Sequence, residues 1–488
     1  SAGNVILVGQ ICTEGGTGPE LSRYGRPTGR LASLCYGLVA KFASADGAVL
    51  WQRRITGVGD FYHLVVDASD DVYVGGNFRG SAVDMGAGIV ATSESGGSTQ
   101  SSLVLKLSAA TGTTVWAQSF GSGYVREMSI APDGSSVYAG GYNSIAATVG
   151  TLSVLGIHGG YVWKLAASDG APQWLIDVPA IRGVRAHSDG ATLSLTGSYY
   201  SAGTVTLGDV TIRGRGSFDV FVAKIRASDG SGIWAMDMGG DGYESPWSFD
   251  VDSSGATYIA GLTSSSTLYA GSQSRPNPMH RANGGDGSNQ LFVAKLSSAE
   301  QLPSCLSSCS AGQSPVVSSG HCYIDGACYA HGAVSPYLGQ SCMACDASVS
   351  QTEWSGPLSG SCLIGGTCVA DGTWQPGPPA GRGQPANPAS TQYRCLSTVL
   401  STGWTDTHLW TNYDSCATPT FEWLLLDEGA GSSMTYAMTD MGSNVYIGGT
   451  TTGNLTLVGA SGVPHHYQHI TNDADLYIAQ ISSSGEPT

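Results

Sequence analysis

Phe221-Val222-Ala223-Lys224, followed by the turn Asp229-Gly230 and then by Trp234, decides the fold, because the rest of the chain repeats it. Lys41, Lys106 and Lys164 close the matching segments Leu38-Val39-Ala40, Leu103-Val104-Leu105 and Tyr161-Val162-Trp163. Each is followed by Gly47, Gly112 or Gly170, and then by Trp51, Trp116 or Trp174. Lysine stands ten residues before tryptophan every time, and glycine four before. Phe292-Val293-Ala294-Lys295 is a fifth lysine segment, and Tyr477-Ile478-Ala479-Gln480 is a sixth with glutamine in place of lysine. No lysine occurs anywhere else. The lysines are 65, 58, 60 and 71 residues apart, a period of about 60.

Working outward, each period reads as four strands, because β-branched and aromatic residues alternate between Gly, Asp and Ser turns. The first resembles Ser248-Phe249-Asp250-Val251. The second is Val72-Tyr73-Val74-Gly75, which recurs as Val137-Tyr138-Ala139-Gly140, Thr257-Tyr258-Ile259-Ala260 and Val445-Tyr446-Ile447-Gly448. After a variable loop come the lysine strand, an Asp-Gly or Thr-Gly hairpin, and the tryptophan strand. Four-stranded units repeated radially hide their edges from water, so the chain reads as an all-β β-propeller, with six four-stranded blades as the expected count. Strand counting gives six of the second type, six lysine strands, five of the first type and five tryptophan strands if Trp423 closes the interrupted blade. The two missing strands leave either an irregular closing blade or a strand donated by a neighbouring molecule. The Gly-x-x-x-Trp spacing resembles the tryptophan-docking motif of quinoprotein propellers. That resemblance implies that the indoles of Trp51, Trp116, Trp174, Trp234 and Trp423 pack on the next blade's turn. The family's alanine ten residues before tryptophan is lysine here.

After Lys295 the hairpin turn is absent, and the chain runs into a segment holding ten of the twelve cysteines. This divides the chain into propeller (1–300), cysteine-rich EGF-like insertion with a Pro/Gly-rich linker (301–418), and propeller again (419–488). The insertion repeats Cys322-Tyr323-Ile324-Asp325-Gly326-Ala327-Cys328 as Cys362-Leu363-Ile364-Gly365-Gly366-Thr367-Cys368. A small module unable to bury enough apolar surface needs disulfides. Cys305, Cys309, Cys322, Cys328, Cys342, Cys345, Cys362, Cys368, Cys395 and Cys416, with the outlying Cys12 and Cys35, are therefore expected to be disulfide-bonded. Cys342-x-x-Cys345 has a spacing that also suits zinc or a redox disulfide, but the cysteine-dense context favours structural bonds. The segment from Trp374 to Ser390 is polyproline and turn material, a surface linker.

Net charge is -16 and only 12% of residues are charged, about half the ~25% of an average soluble domain. Binding to a phosphate backbone needs lysine and arginine to displace counterions, so nucleic acid is excluded as a partner. No apolar run approaches the roughly 20 residues of a membrane span. Ser1-Ala2-Gly3-Asn4 reads as the mature end of a processed secretory protein, and Asn454-Leu455-Thr456 is a glycosylation sequon at Asn454. The expectation is a secreted, extracellular protein.

The stretch from Cys322 to Pro336, Cys-Tyr-Ile-Asp-Gly-x-Cys-Tyr-Ala-x-Gly-x-x-Ser-Pro, followed by Cys342-x-x-Cys345, resembles the algal mastigoneme proteins of the sexually-induced-gene type. These are proteins of flagellar hairs. The resemblance implies an extracellular structural subunit on the flagellar surface that polymerises into a hair and increases drag. Its partners would be copies of itself, other hair proteins and glycans, and it would carry no catalytic residues and no cofactor.

Other constellations have plain competitors. His465, His466 and His469 have a spacing at which imidazoles coordinate zinc or copper, but they lie in a long loop without a partnering glutamate. Asp67, Asp70 and Asp71, or Asp250 and Asp252, are read as turn-forming residues rather than calcium ligands. No metal site is assigned. The lysines are read as bonding turn carbonyls or acidic turns rather than lining a channel. A carbohydrate- or receptor-binding propeller is the alternative function, with Tyr199, Tyr200, Tyr243 and Trp247 as candidate stacking residues, although core packing is the expected use of Trp247. A quinoprotein-type dehydrogenase ranks below it, because the vicinal cysteine pair is missing.

Overall fold

The computed structural model describes residues 3–13 and 34–487 apart from 157–158, 201–203, 208–209, 271–272, 278–288, 302–304, 309–315, 325–326, 336–341, 357, 359–360, 365–366, 371–373, 377–391, 395–417, 428–432, 442–443, 453, 459–463 and 468–474. Strands and turns make up these residues, and no helix occurs among them.

Six antiparallel sheets follow one another along the chain and form a β-propeller. In the second sheet the order is Val58–Val66, Val72–Phe78, Ser101–Leu107, Thr114–Phe120, which is the expected sequence of inner, second, lysine and tryptophan strands. The third, fourth and fifth sheets repeat it. The 15-residue strand Pro172–Ala186 is the outer strand of the third sheet as far as Pro179 and the inner strand of the fourth from Ala180. The fifth sheet is completed across the insertion, where Gln290–Gln301 pairs with Thr418–Leu426. The first sheet (Val5–Thr13, Leu34–Phe42, Val49–Thr56) and the last (Ser433–Met441, Asn444–Thr451, Asp475–Ser482) have three strands each. Among the described residues, four blades are thus four-stranded and two are three-stranded. Both departures from the expected six full blades follow the strand count: among the described residues the first sheet has no inner strand and the last no outer one.

Five apolar clusters fill the five interfaces between successive sheets. The residue two places before each lysine faces the next blade. Val39, Val104, Val162, Val222 and Val293 are at most 1% exposed, each packed among residues of the following sheet.

The repeat spacing acquires its meaning between blades. Lys106 and Trp116 are register partners, and both donate to the carbonyl oxygen of Ala167, three residues past the next lysine, at 3.3 and 3.1 Å. Lys41 and Trp51 converge likewise on Ala109, and Lys164 and Trp174 on Ala227. Lys295 reaches Ser483, three past Gln480. The ammonium of Lys106 also sits 4.9 Å over the Tyr73 ring and 3.2 Å from Asp71. A buried indole needs a partner for its N–H, and here the neighbouring turn supplies it. The turn's glycine leaves room for the ring: a Cβ on Gly170, where φ is +74°, would lie 2.7 Å from Trp116 Cε3. The side chain of Trp423 is outside the described residues, though its backbone pairs with Lys295.

Among the described residues, the variable loop between second and lysine strands holds a two-stranded hairpin in five sheets, for example Ala82–Gly86 with Ile89–Thr92. These ribbons are only three to five residues a side, too short for periodicity to reveal. The histidine pair belongs to one of them. His465 and His466 lie on the strand Pro464–Tyr467 rather than in an open loop. Consecutive strand residues point to opposite faces, which separates these two imidazoles. His469 lies outside the described residues.

In the insertion, the two cysteines of the first hairpin do not bond to each other. Cys328 reaches back to Cys305 and Cys322 reaches forward to Cys345, while Cys342 goes on to Cys368. The Cys342-x-x-Cys345 pair is thereby split between two disulfides, which corrects any zinc or redox reading of it. Cys12 and Cys35 are register partners across the first two strands. Cys309, Cys395 and Cys416, and the side chain of Cys362, lie outside the described residues. Three disulfides fit the oxidising environment of a secreted protein.

Gly170→Ala should therefore destabilise the chain more than Trp116→Phe. The alanine forces Trp116 from its seat and strains a left-handed backbone, at about 2–3 kcal/mol. The phenylalanine loses one hydrogen bond while Lys106 still serves Ala167, at about 1 kcal/mol. Urea denaturation of both variants reads the order.

Candidate functional site

The bulge just after each lysine falls at the same place in five blades, whereas the bulges of the inner strands add residues of differing type. Each of the five described inner strands is bulged at a matching place: Tyr62, Arg126, Arg182, Trp247 and Tyr436 are the extra residues, between Phe61 and His63, Val125 and Glu127, Ile181 and Gly183, Pro246 and Ser248, and Thr435 and Ala437; the second blade has a further shift between Val58 and Phe61. A bulge interrupts the ladder and re-aims the side chain that it adds. These residues differ in type from blade to blade, so the repeat does not expose them. Their only signal is a place ten to twelve residues before the residue that pairs with lysine.

Next to the bulges, four successive inner strands are linked by charge. His63 Nε2 is 2.8 Å from Glu127 Oε1, Arg185 Nη1 is 2.5 Å from the same oxygen, and Arg185 Nε is 3.3 Å from Asp250. Burial alone would raise the Glu127 carboxyl, but the His63 hydrogen bond and the charges of His63 and Arg185 hold it below its ordinary value. Asp250, read from sequence as a turn residue, is thus an ion-pair partner.

Aromatic rings gather at the ends where the inner strands begin. Tyr124 lies 5.3 Å from Tyr62 and 5.8 Å from Tyr142, and Arg126 sits 5.8 Å over the Tyr62 ring. On the fourth and fifth blades Phe218 packs between Tyr200 and Tyr243, at 5.3 and 5.5 Å. Tyr62, Tyr142, Tyr200 and Tyr243 are all exposed. Tyr199 is not available for stacking on a ligand: it is buried against Phe221, which corrects that member of the expected set. Trp247 is half-buried at its bulge. Desolvation, followed by the Asp60 carboxylate, pushes the Tyr62 hydroxyl up to about 12.

The aspartates of the turns are occupied by their own backbone. Asp67 Oδ1 accepts from the N–H groups of Ser69 and Asp71, and Asp252 Oδ1 from those of Ser254 and Ala256. Asp71 Oδ1 accepts from the Ala109 N–H within the second blade, while Asp70 takes the left-handed backbone of the turn, with φ of 63°. Asn454 is exposed at the start of the strand Leu455–Val458, accessible to glycosylation.

A buried carboxylate pair lies between the fourth and fifth blades. Glu244 accepts from the Gly240 N–H and the hydroxyls of Thr263 and Ser265, at 2.9, 2.8 and 2.6 Å. Asp219 accepts from the N–H groups of Arg215 and Gly216. Burial, reinforced by the Asp219 charge, pushes the Glu244 carboxyl up to about 7.

No protein-family model matches the chain, and no curated protein matches it. Several solved structures are similar at low identity. The Dos1 propeller is 10% identical over 53% of this chain and 72% of its own, with a TM-score of 0.25. The periplasmic gluconolactonase PpgL of Pseudomonas aeruginosa is 10% identical over 60% and 92%, also at 0.25. The quinohemoprotein alcohol dehydrogenase of Comamonas testosteroni is 11% identical over 47% and 52%, at 0.23. The propeller assignment stands on the strand order and blade contacts.

Glu127 and Glu244 should respond to pH in opposite directions. Glu127 has a lowered pKa, so its stabilisation is complete above the unfolded carboxyl value, about 4.3, and is lost as pH falls through the folded one. Glu127→Gln should cost on the order of 3 kcal/mol at pH 7, and the cost should narrow as pH falls through the folded value. Glu244 keeps its proton to about 7 when folded but to about 4.5 when unfolded. Its contribution therefore falls as pH rises between those values. Glu244→Gln should flatten that part of the profile by roughly 3 kcal/mol. Chemical denaturation from pH 3 to pH 8 measures both.

Proposed function

We propose that the chain is an extracellular structural subunit that assembles head to tail with copies of itself into a filament of the flagellar-hair type. One observation carries this reading. Ile478, two places before Gln480, is 80% exposed, and Leu476 78%, although the five residues equivalent to Ile478 are buried against a following blade. On the first sheet Val5 and Leu7 are 52% and 54% exposed, whereas Val72 and Val74, their equivalents in the second sheet, are fully buried against the preceding blade. The two faces are therefore the two halves of an interface that the chain makes five times within itself. Burying an isoleucine or leucine is worth about 1.5–3 kcal/mol, so such faces favour association. A face that meets a different face on its partner is heterologous, and repetition of such a contact extends into a fibre. The disulfide-linked insertion and the cysteine module that resembles flagellar-hair proteins support the same reading.

The paired variants Ile478→Asp with Leu476→Asp, and Val5→Asp with Leu7→Asp, test it. The unmodified chain should associate with rising concentration in sedimentation and show filaments by negative-stain microscopy. Each doubly substituted chain should stay monomeric, and an equimolar mixture of the two should stop at dimers, since one intact head meets one intact tail. A parent chain that remains monomeric at every concentration, closing its own two faces together, would refute head-to-tail assembly.

A further inference from the structure

The inner-strand bulges place two guanidinium groups where no protein group answers them. Arg126 and Arg182 occupy the same register position on adjacent inner strands. Among the described residues, neither makes a hydrogen bond or an ion pair; Arg126 has only the Tyr62 ring. Arg185, a few residues deeper, is by contrast held by Glu127 and Asp250. Burial and then the charge of Arg126 press on Arg182, while Tyr124 and Tyr243 act on it in the opposite sense. Arg182 thus lies within electrostatic reach of both aromatic groups. Half-buried like charges without counter-charge are costly, and an anionic ligand relieves that cost.

We infer that this end of the inner strands binds an acidic saccharide, a chain bearing uronate or sulfate groups. Arg126 and Arg182 take the anionic groups, and the exposed rings of Tyr62, Tyr142, Tyr200 and Tyr243 receive the apolar faces of the pyranose units. A guanidinium fork matches carboxylate or sulfate oxygens in pairs, which an ammonium does not. A tyrosine ring offers a flat apolar face with a polar tip, a combination that suits a sugar better than an apolar peptide side chain. Glu127 and Asp250 are paired with Arg185, and Glu127 also with His63, while Asp60 accepts from the Tyr62 hydroxyl at 3.2 Å and forms no ion pair with either arginine among the described residues. This inference is independent of head-to-tail assembly, because the site lies on inner strands of the second to fifth blades rather than on the terminal faces.

Titration calorimetry of the full chain carrying Ile478→Asp and Leu476→Asp, which removes self-association from the signal, tests the site. The probes are oligogalacturonate, its carboxyl-reduced neutral counterpart, a sulfated oligosaccharide and a poly-glutamate peptide. Binding of at least one acidic saccharide, weakened by salt and absent for the neutral and peptide probes, is expected. Arg126→Gln with Arg182→Gln should weaken it about ten-fold or more, the scale of a lost charged hydrogen-bonded pair. Tyr200→Ala and Tyr243→Ala should weaken it further without changing its salt dependence, with thermal unfolding confirming that each variant is folded. Equal affinity for the neutral probe, tighter binding of poly-glutamate, an unchanged affinity in the double arginine variant, or no binding of any acidic saccharide would each overturn the assignment.

Discussion

A single carbonyl oxygen receiving both a lysine ammonium and an indole N–H from the blade before it sets the geometry at the first three blade interfaces. Lys106 and Trp116 are cross-strand partners, so their two donors move together, and Ala167 can satisfy both only when the third blade sits at one height and one angle. The apolar clusters supply most of the cohesion, but a hydrophobic interface is nondirectional and tolerates sliding. The shared carbonyl does not. Repeated across successive interfaces, this contact gives the blades a common register and lets the inner strands be irregular without loss of alignment.

That division of labour explains where chemistry can be placed. On the outer side of each sheet the residues are fixed by the clamp and repeat from blade to blade. On the inner side each strand is bulged, and the added residue is free to differ: tyrosine, arginine, arginine and tryptophan in four successive blades. The ion-pair chain from His63 through Glu127 and Arg185 to Asp250 runs beside these positions and ties the strands together where the ladder is interrupted. The result is a rigid frame with one variable end, on which exposed rings and unpaired guanidinium groups lie close together.

The insertion solves a different problem by different means. Its hairpins are too small to bury a core, and among the described residues two minor apolar clusters form around Tyr323 and Ile324. Each disulfide joins a hairpin to the segment before or after it, so that Cys305, Cys322 and Cys342 each begin a bond that overlaps the next. Covalent stagger of this kind makes an extended array resistant to unfolding from one end, since no module is held by a single closure. It suits a segment that leaves the propeller after Gln301 and rejoins it at Thr418.

Strand type and the order of the blade strands were determined by sequence, because alternation, turn glycines and the Lys-to-Trp offset are local properties of short segments; the short ribbons between them were not. The expectation that lysine would bond a turn carbonyl was also legible, from its place at the end of a strand. Only the tertiary structure decided that the carbonyl belongs to the next blade, that Tyr199 is buried while Tyr200 is exposed, and which cysteines join. The bulged inner strands were equally hidden: Arg126 and Arg182 stand at no repeated residue type, and they become neighbours only when strands more than fifty residues apart are brought side by side. The exposed faces of Ile478 and Val5 were invisible for the same reason. Their residues match the buried valines of other blades, and exposure depends on what packs against them.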